Sequence, residues 1–247
     1  MRYLPHTSEE IDAMLATIGA PSLESLFDTV PADCRMTSAW DLPAAKSEWE
    51  LNDHMRHLAA AMRVDERTKI LVGAGSYRHH IPETVRSLAS RSEFLTAYTP
   101  YQPEMAQGTL QGIFEYQTLT ARLLGVDVVN ASMYDGASAL AEALLMGLRI
   151  AKKKKRVAVA KAIHPHYRAV VRAYLQPAGY EVVELDFLAS GRTDLSGLGA
   201  LEDIAAVALQ SPNFFGVIED LEAAAATIHG AGMLFITCFT EPLAYGL

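Results

Sequence analysis

Between residues 136 and 238, short apolar runs alternate with longer stretches whose apolar residues recur at helical spacing. No other feature restricts the fold so strongly. Ala137, Leu140, Leu144 and Leu148 predict a helix over residues 136–151. Residues 156–163 then read as a buried strand, and Pro165 suits the first turn of a helix that runs through Leu175 and is ended by Gly179. Residues 180–187 are the next expected strand, 204–210 a third, 220–229 a helix and 233–238 a fourth strand. Strands separated by helices imply right-handed crossovers and parallel pairing, with helices over both faces. The expected class is α/β, a mainly parallel sheet covered by helices.

Upstream the pattern changes. Residues 1–65 read as an N-terminal helical segment, with Thr7-Ser8-Glu9-Glu10 offering caps ahead of Ile11, Met14 and Leu15, and a second helical pattern over 51–62. Residues 66–247 form the expected large α/β domain, whose first long helix spans 104–124 on Ala106, Leu110, Ile113, Phe114 and Ala121. Only Leu243-Ala244-Tyr245-Gly246-Leu247 follow the loop after the last strand, so the domain is expected to be an incomplete, truncated piece of a longer chain.

Composition narrows the function classes. Half of the 247 residues are apolar, enough for one sizeable core. The net charge of -8 argues against a nucleic-acid binder. The single basic run, Lys152-Lys153-Lys154-Lys155-Arg156, follows a helical stretch and reads as a solvated helix end. Cys34 and Cys238 lie far apart, without the spacing of a disulfide framework or a zinc site. No signal core and no apolar run of about 18 residues is present, so no membrane span is expected and a cytoplasmic, reducing compartment is the plain reading.

Several segments are candidates for chemistry. Gly73-Ala74-Gly75 follows an apolar run but lacks the third glycine of a dinucleotide loop, position 78 being Arg, and is expected to be a turn. His79-His80 and His164-Pro165-His166 have no partner at metal-ligand spacing, so no metal is expected; packing, exposure, or a catalytic or cofactor-stacking role for one histidine remain open. Small and polar residues in Asn130-Ala131-Ser132-Met133-Tyr134-Asp135-Gly136-Ala137-Ser138 run straight into a helix. They read either as an anion site at a helix N-terminus or as an ordinary cap by Ser132 or Asp135, whose carboxylate would oppose a phosphate. In Tyr98-Thr99-Pro100-Tyr101-Gln102-Pro103-Glu104, two prolines brace a loop bearing two phenols.

Taken together these segments resemble subunit 1 of the decarboxylating glycine dehydrogenase family, the P-protein of the glycine cleavage system. The resemblance rests on the Tyr98–Glu104 loop with Gln107-Gly108 and Gln117, and on Asn130 to Ala137. It rests also on Ser211-Pro212-Asn213-Phe214-Phe215-Gly216-Val217-Ile218-Glu219-Asp220, on Gly73-Ala74-Gly75-Ser76-Tyr77 with His79 and Ile81-Pro82, and on Tyr3-Leu4-Pro5-His6-Thr7. It runs from end to end, with departures at His80 and at Phe239-Thr240-Glu241-Pro242.

The resemblance implies the fold type I architecture of pyridoxal-phosphate enzymes, in a longer chain than this one. It implies a complex, a heterotetramer, in which glycine dehydrogenase subunit 2 holds pyridoxal phosphate on a lysine. Subunit 1 supports that site and binds no cofactor covalently. Glycine is decarboxylated, and the aminomethyl group passes to the lipoyl arm of the H-protein. Pyridoxal phosphate serves as the electron sink for the carbanion that loss of carbon dioxide leaves. Tyr98, Thr99, Tyr101 and Gln102 are then expected at a substrate and subunit interface. Asn130, Ser132, Tyr134 and Asp135 mark a degenerate phosphate loop, and His164 is a candidate stacking residue; no residue is assigned as catalytic. A self-sufficient pyridoxal-phosphate transferase or lyase, or a non-catalytic scaffold, are the alternatives.

Overall fold

A computed structural model describes residues 6–36, 38, 40–62, 68–95 and 100–246. The chain divides into two units, residues 1–69 and 70–247. In the first, α1 (Ser8–Ile18) starts at a capping box formed by Thr7 and Glu10 and stops at Gly19, which takes a left-handed φ of 71°. A second capping box, Ser47 with Glu50, starts α2 (Glu48–Ala61), three residues before the apolar pattern predicts. The caps explain both starts, since each hydroxyl satisfies an amide that the helix leaves orphaned.

In the second unit α3 (Glu83–Ala89), α4 (Ser92–Leu95) and the 18-residue α5 (Gln107–Leu124) come first. The α5 helix begins three residues later than position 104 suggests, because 100–105 form turns in which Gln102 O accepts from the amides of Met105 and Ala106. No described residue before Ala137 is buried. The core begins with α6 (Gly136–Ile150) and continues through β1 (Arg156–Ala160), α7 (Pro165–Leu175), β2 (Glu181–Leu185), β3 (Ile204–Gln210), α8 (Leu221–Gly230) and β4 (Leu234–Cys238).

All four strands pair in parallel, in the order β2-β1-β3-β4. Strand β3 is buried along its whole length, as its apolar composition demands of a central parallel strand. The chain steps from β1 to β2 in one direction and from β3 to β4 in the other. With right-handed crossovers, α7 and α8 therefore lie on opposite faces. Helix α6 shares the face of α7 and packs across β1, β3 and β4. Gly147 permits that approach: a Cβ there would stand 3.0 Å from the Cβ of Ala206 in β3. Leu144, Val157, Val159, Ile163, Val171, Leu175, Ile204 and Ile228 are fully buried, each side chain contributing about 1.5–3 kcal/mol on removal from water.

Two expected strand ends shift. The first strand stops at Ala160 rather than 163, because Lys161 N bonds Leu185 O and Ile163 N then turns back on Ala160 O. The second stops at Leu185, and Phe187 instead makes an antiparallel bridge to Thr193. Helix α7 runs from Pro165 through Leu175 as expected, with Gln176 as its cap and Gly179 in a left-handed turn, φ 81°. The basic run follows the end of α6 with Lys152, Lys153 and Lys155 exposed, as expected of a solvated helix end, while its other two members reach strand starts. Lys154 Nζ donates to the Ile204 and Gly232 carbonyls at 2.7 and 3.2 Å, and Arg156 pairs with Glu181 across β1 and β2 at 2.9 Å. No helix among the described residues is long and apolar enough to cross a membrane.

Candidate functional site

The chain changes direction between β1 and β3, and the carboxyl ends of strands at such a switch point are the place where open α/β sheets take ligands. Helix α6 runs back towards the start of β1, so its own start lies at that carboxyl edge. The loops after β1 and β3 are locked to each other there. His164 N donates to Gln210 Oε1 at 2.9 Å, Gln210 Nε2 donates to Pro212 O at 3.1 Å, and Phe214 N donates to Ala162 O at 2.8 Å.

Behind this clamp, buried Glu219 accepts from the Thr193 amide and hydroxyl and from Asn213 Nδ2, while its own amide donates to Ser211 Oγ. Gln210, Ser211, Asn213, Glu219 and Thr193 are five of the six buried polar residues among those described. Polar groups removed from water must be paired, so this network fixes the 211–219 loop in one arrangement.

His164 caps α7 and is ringed by aromatic groups: Tyr167 at 5.4 Å, Phe214 edge-on at 5.2 Å and His166 at 5.1 Å between ring centroids. Its Nδ1 accepts from His166 N at 3.1 Å, and the Ala74 backbone lies beside the ring. Burial, then the neighbouring His166, hold its pKa below the ordinary histidine value, against a lift from the Ala74 backbone. Packed among these rings, the imidazole forms a wall of the site.

Ala74 reaches this position through a turn in which Gly73, Ala74 and Gly75 all take positive φ, 68°, 53° and 85°. The expected turn is thus present, and it folds against the β4 end: a Cβ on Gly75 would stand 3.3 Å from Thr240, and His79 approaches Glu241 at 3.9 Å.

At the start of α6, Asp135 and Ser138 form a capping box, Asp135 Oδ1 accepting from Ser138 N at 2.7 Å. Of the two candidates Asp135, not Ser132, is the cap. The Ser138 amide, followed by its hydroxyl, holds the Asp135 carboxyl below the usual carboxylate range. Tyr167 lies over this first turn; a Cβ on Gly136 would meet its phenol Cζ at 2.9 Å. Burial, then Cys238 and Asp135, raise the Tyr167 pKa, so the phenol stays neutral.

The other residues of that segment are placed elsewhere. Asn130 Oδ1 accepts from Ser132 N at 3.0 Å in a local turn, and Ser132 lines a separate recess with Gly108, Gly112, Ile113 and Tyr116. Tyr134 is fully exposed. Tyr101 is 76% exposed and Gln102 opens the turn into α5, whereas Tyr98 and Thr99 lie outside the described residues. Lys161, at the end of β1, has its amine against Asp186 at 2.5 Å.

A sequence model of the family described as glycine cleavage system P-protein matches residues 1–247. The chain belongs to this family. It is 63% identical over its whole length to a probable glycine dehydrogenase (decarboxylating) subunit 1 of Desulfotalea psychrophila, and 43% identical over 245 residues to that of Thermotoga maritima. It spans 55% and 54% of those two relatives. A crystal structure of glycine decarboxylase (P-protein) of the glycine cleavage system, in inhibitor-bound form, superposes with a TM-score of 0.72 at 47% identity, covering all of this chain and 55% of that one. A NifS-like protein, at 15% identity and TM-score 0.51 over 68% of this chain, shares the fold alone. The fold is that of the fold type I pyridoxal-phosphate enzymes.

Residues that sequence reasoning missed are Tyr167 and Gln210, while Ala74 and Glu219 were singled out only as parts of a turn and of a family motif. Only Gly136, a glycine at a helix start where Ala would serve better, signals the Tyr167 contact in the sequence.

Proposed function

We propose that this chain is the N-terminal part of subunit 1 of a decarboxylating glycine dehydrogenase, and that it supports a cofactor site held by subunit 2. The similarity to curated subunit 1 proteins along all 247 residues carries the reading. In the proposed complex, a heterotetramer of the cytoplasm, glycine loses carbon dioxide and the aminomethyl group passes to the lipoyl arm of the H-protein.

The implied cofactor does not fit this chain. A phosphate needs free amides and no competing anion, but the start of α6 already holds the Asp135 carboxylate and is roofed by Tyr167. The one amine at the end of β1, Lys161, is paired with Asp186. What the chain offers instead is a rigid frame: the Gln210 clamp, the Glu219 network and the His164 wall.

The test is borohydride reduction of the full-length subunit purified alone in pyridoxal phosphate, followed by peptide mass mapping. No pyridoxyl group on any lysine is the expected result. A modified lysine would establish a self-sufficient pyridoxal-phosphate enzyme. If subunit 2, the H-protein and glycine together release no carbon dioxide in the presence of this subunit, it is a scaffold and the reading falls.

A further inference from the structure

We infer that Asp135 and Tyr167 together form a built-in stopper in the fold's own anion seat, filling from inside the chain the place that a phosphate group would otherwise take. The inference rests on the proposed function and gives its physical cause. Helix α6 has 15 residues, and its start lies at the carboxyl edge of the sheet beside the point where β1 and β3 diverge. Helix start and switch point coincide, which is where phosphates settle in sheets of this kind.

Two features close the place. Asp135 turns its carboxylate onto the Ser138 amide, and Ser138 Oγ in turn accepts from the Asp135 amide at 3.3 Å, so amide and charge are both spent inside the chain. A dianion arriving there meets a fixed negative charge in place of a free donor. The second feature is independent of the cap. Tyr167 comes from α7, and its phenol leans so closely over Gly136 that Cζ and Cε2 would stand 2.9 and 3.1 Å from any Cβ at that position. A helix cap needs no glycine and no roof. The phenol therefore stands against Gly136 at the start of α6, where an anion seated on the turn would have to share its space.

The stopper is removable. Serine caps a helix as well as aspartate does and carries no charge, so Asp135→Ser keeps α6 in place while it removes the negative charge from the seat. Tyr167→Leu keeps an apolar side chain on α7 and takes away the phenol. Calorimetric titration of the full-length subunit with inorganic phosphate at constant ionic strength reads the result, with near-ultraviolet circular dichroism to confirm native packing.

The wild type is expected to give no saturable heat, Asp135→Ser weak heat, and Asp135→Ser/Tyr167→Leu saturable binding about tenfold tighter than the single variant. Should the leucine variant lose its packing, Asp135→Ser/Tyr167→Phe keeps the ring, and saturable heat above that of Asp135→Ser alone supports the stopper. A folded double variant without saturable heat overturns the inference, and so does a wild type that binds phosphate as tightly as the double variant. A pyridoxyl lysine on the wild type sinks the proposed function whatever the phosphate titration gives, so the two failures are separate.

Discussion

Gly147→Ala sets two effects of known size against each other. Replacing a glycine inside a helix with alanine gains about 0.8–1.0 kcal/mol of helix propensity. Against this, the new methyl would stand 3.0 Å from the Cβ of Ala206 and 3.7 Å from Leu234 Cδ1. Carbon atoms prefer roughly 3.5–4.0 Å, so the pair falls short by about 0.5–1 Å. Ala206 is fully buried in β3, and a Cβ has no rotamer through which to escape. Helix α6 must therefore lift from the sheet, loosening its packing on β1 and β4 as well. Overpacking of this kind costs about 1–3 kcal/mol, so a net loss of about 1 kcal/mol is expected. Urea unfolding followed by circular dichroism measures it as a lower midpoint with an unchanged slope. In an Ala206→Gly background the opposing methyl is gone, and the same substitution should become neutral or stabilising, with a coupling of about 1–2 kcal/mol. If Gly147→Ala stabilises the wild-type chain, or the coupling is below about 0.5 kcal/mol, the close approach of α6 to β3 is not the constraint described here.

In the reconstituted full-length complex, Tyr98→Phe and Tyr101→Phe are expected to slow glycine decarboxylation up to roughly a hundredfold, with little change in melting temperature; full activity in both variants would make the loop structural. Glu219→Ala leaves the Thr193 and Asn213 donors buried without an acceptor and should cost about 2–4 kcal/mol, read as a fall in the urea midpoint; a loss below about 0.5 kcal/mol would show that the network adds nothing. His164 has a pKa lowered from 6.5 by burial, so between 6.5 and the folded value the unfolded chain binds the proton first. Its contribution is full above pH 6.5 and is lost as pH falls through that window, and His164→Gln should flatten the fall in melting temperature there.

The sequence by itself determined the elements and most of their limits, because these follow from local physics. Asp135 and Pro165 mark the starts of α6 and α7, and the apolar run 204–210 coincides with β3 residue for residue. Caps act within a few residues of themselves, and periodicity needs no distant partner. The end of β1 was not legible, since Ile163 is as apolar as the strand before it and leaves the ladder only through a turn back to Ala160. The basic run was legible as a solvated helix end at Lys152, Lys153 and Lys155, but a string of lysines does not reveal that Lys154 will find the Ile204 and Gly232 carbonyls, 50 and 78 residues away. The sequence also singled out Asp135 and His164, though not what surrounds them. Tertiary structure alone decided the strand order β2-β1-β3-β4, the switch point it makes, the Gln210 clamp there and the phenol of Tyr167 over Gly136. Each of these depends on which long-range pairing lets buried faces pack and buried polar groups find partners together. That is a property of the assembled sheet, and no single segment carries it.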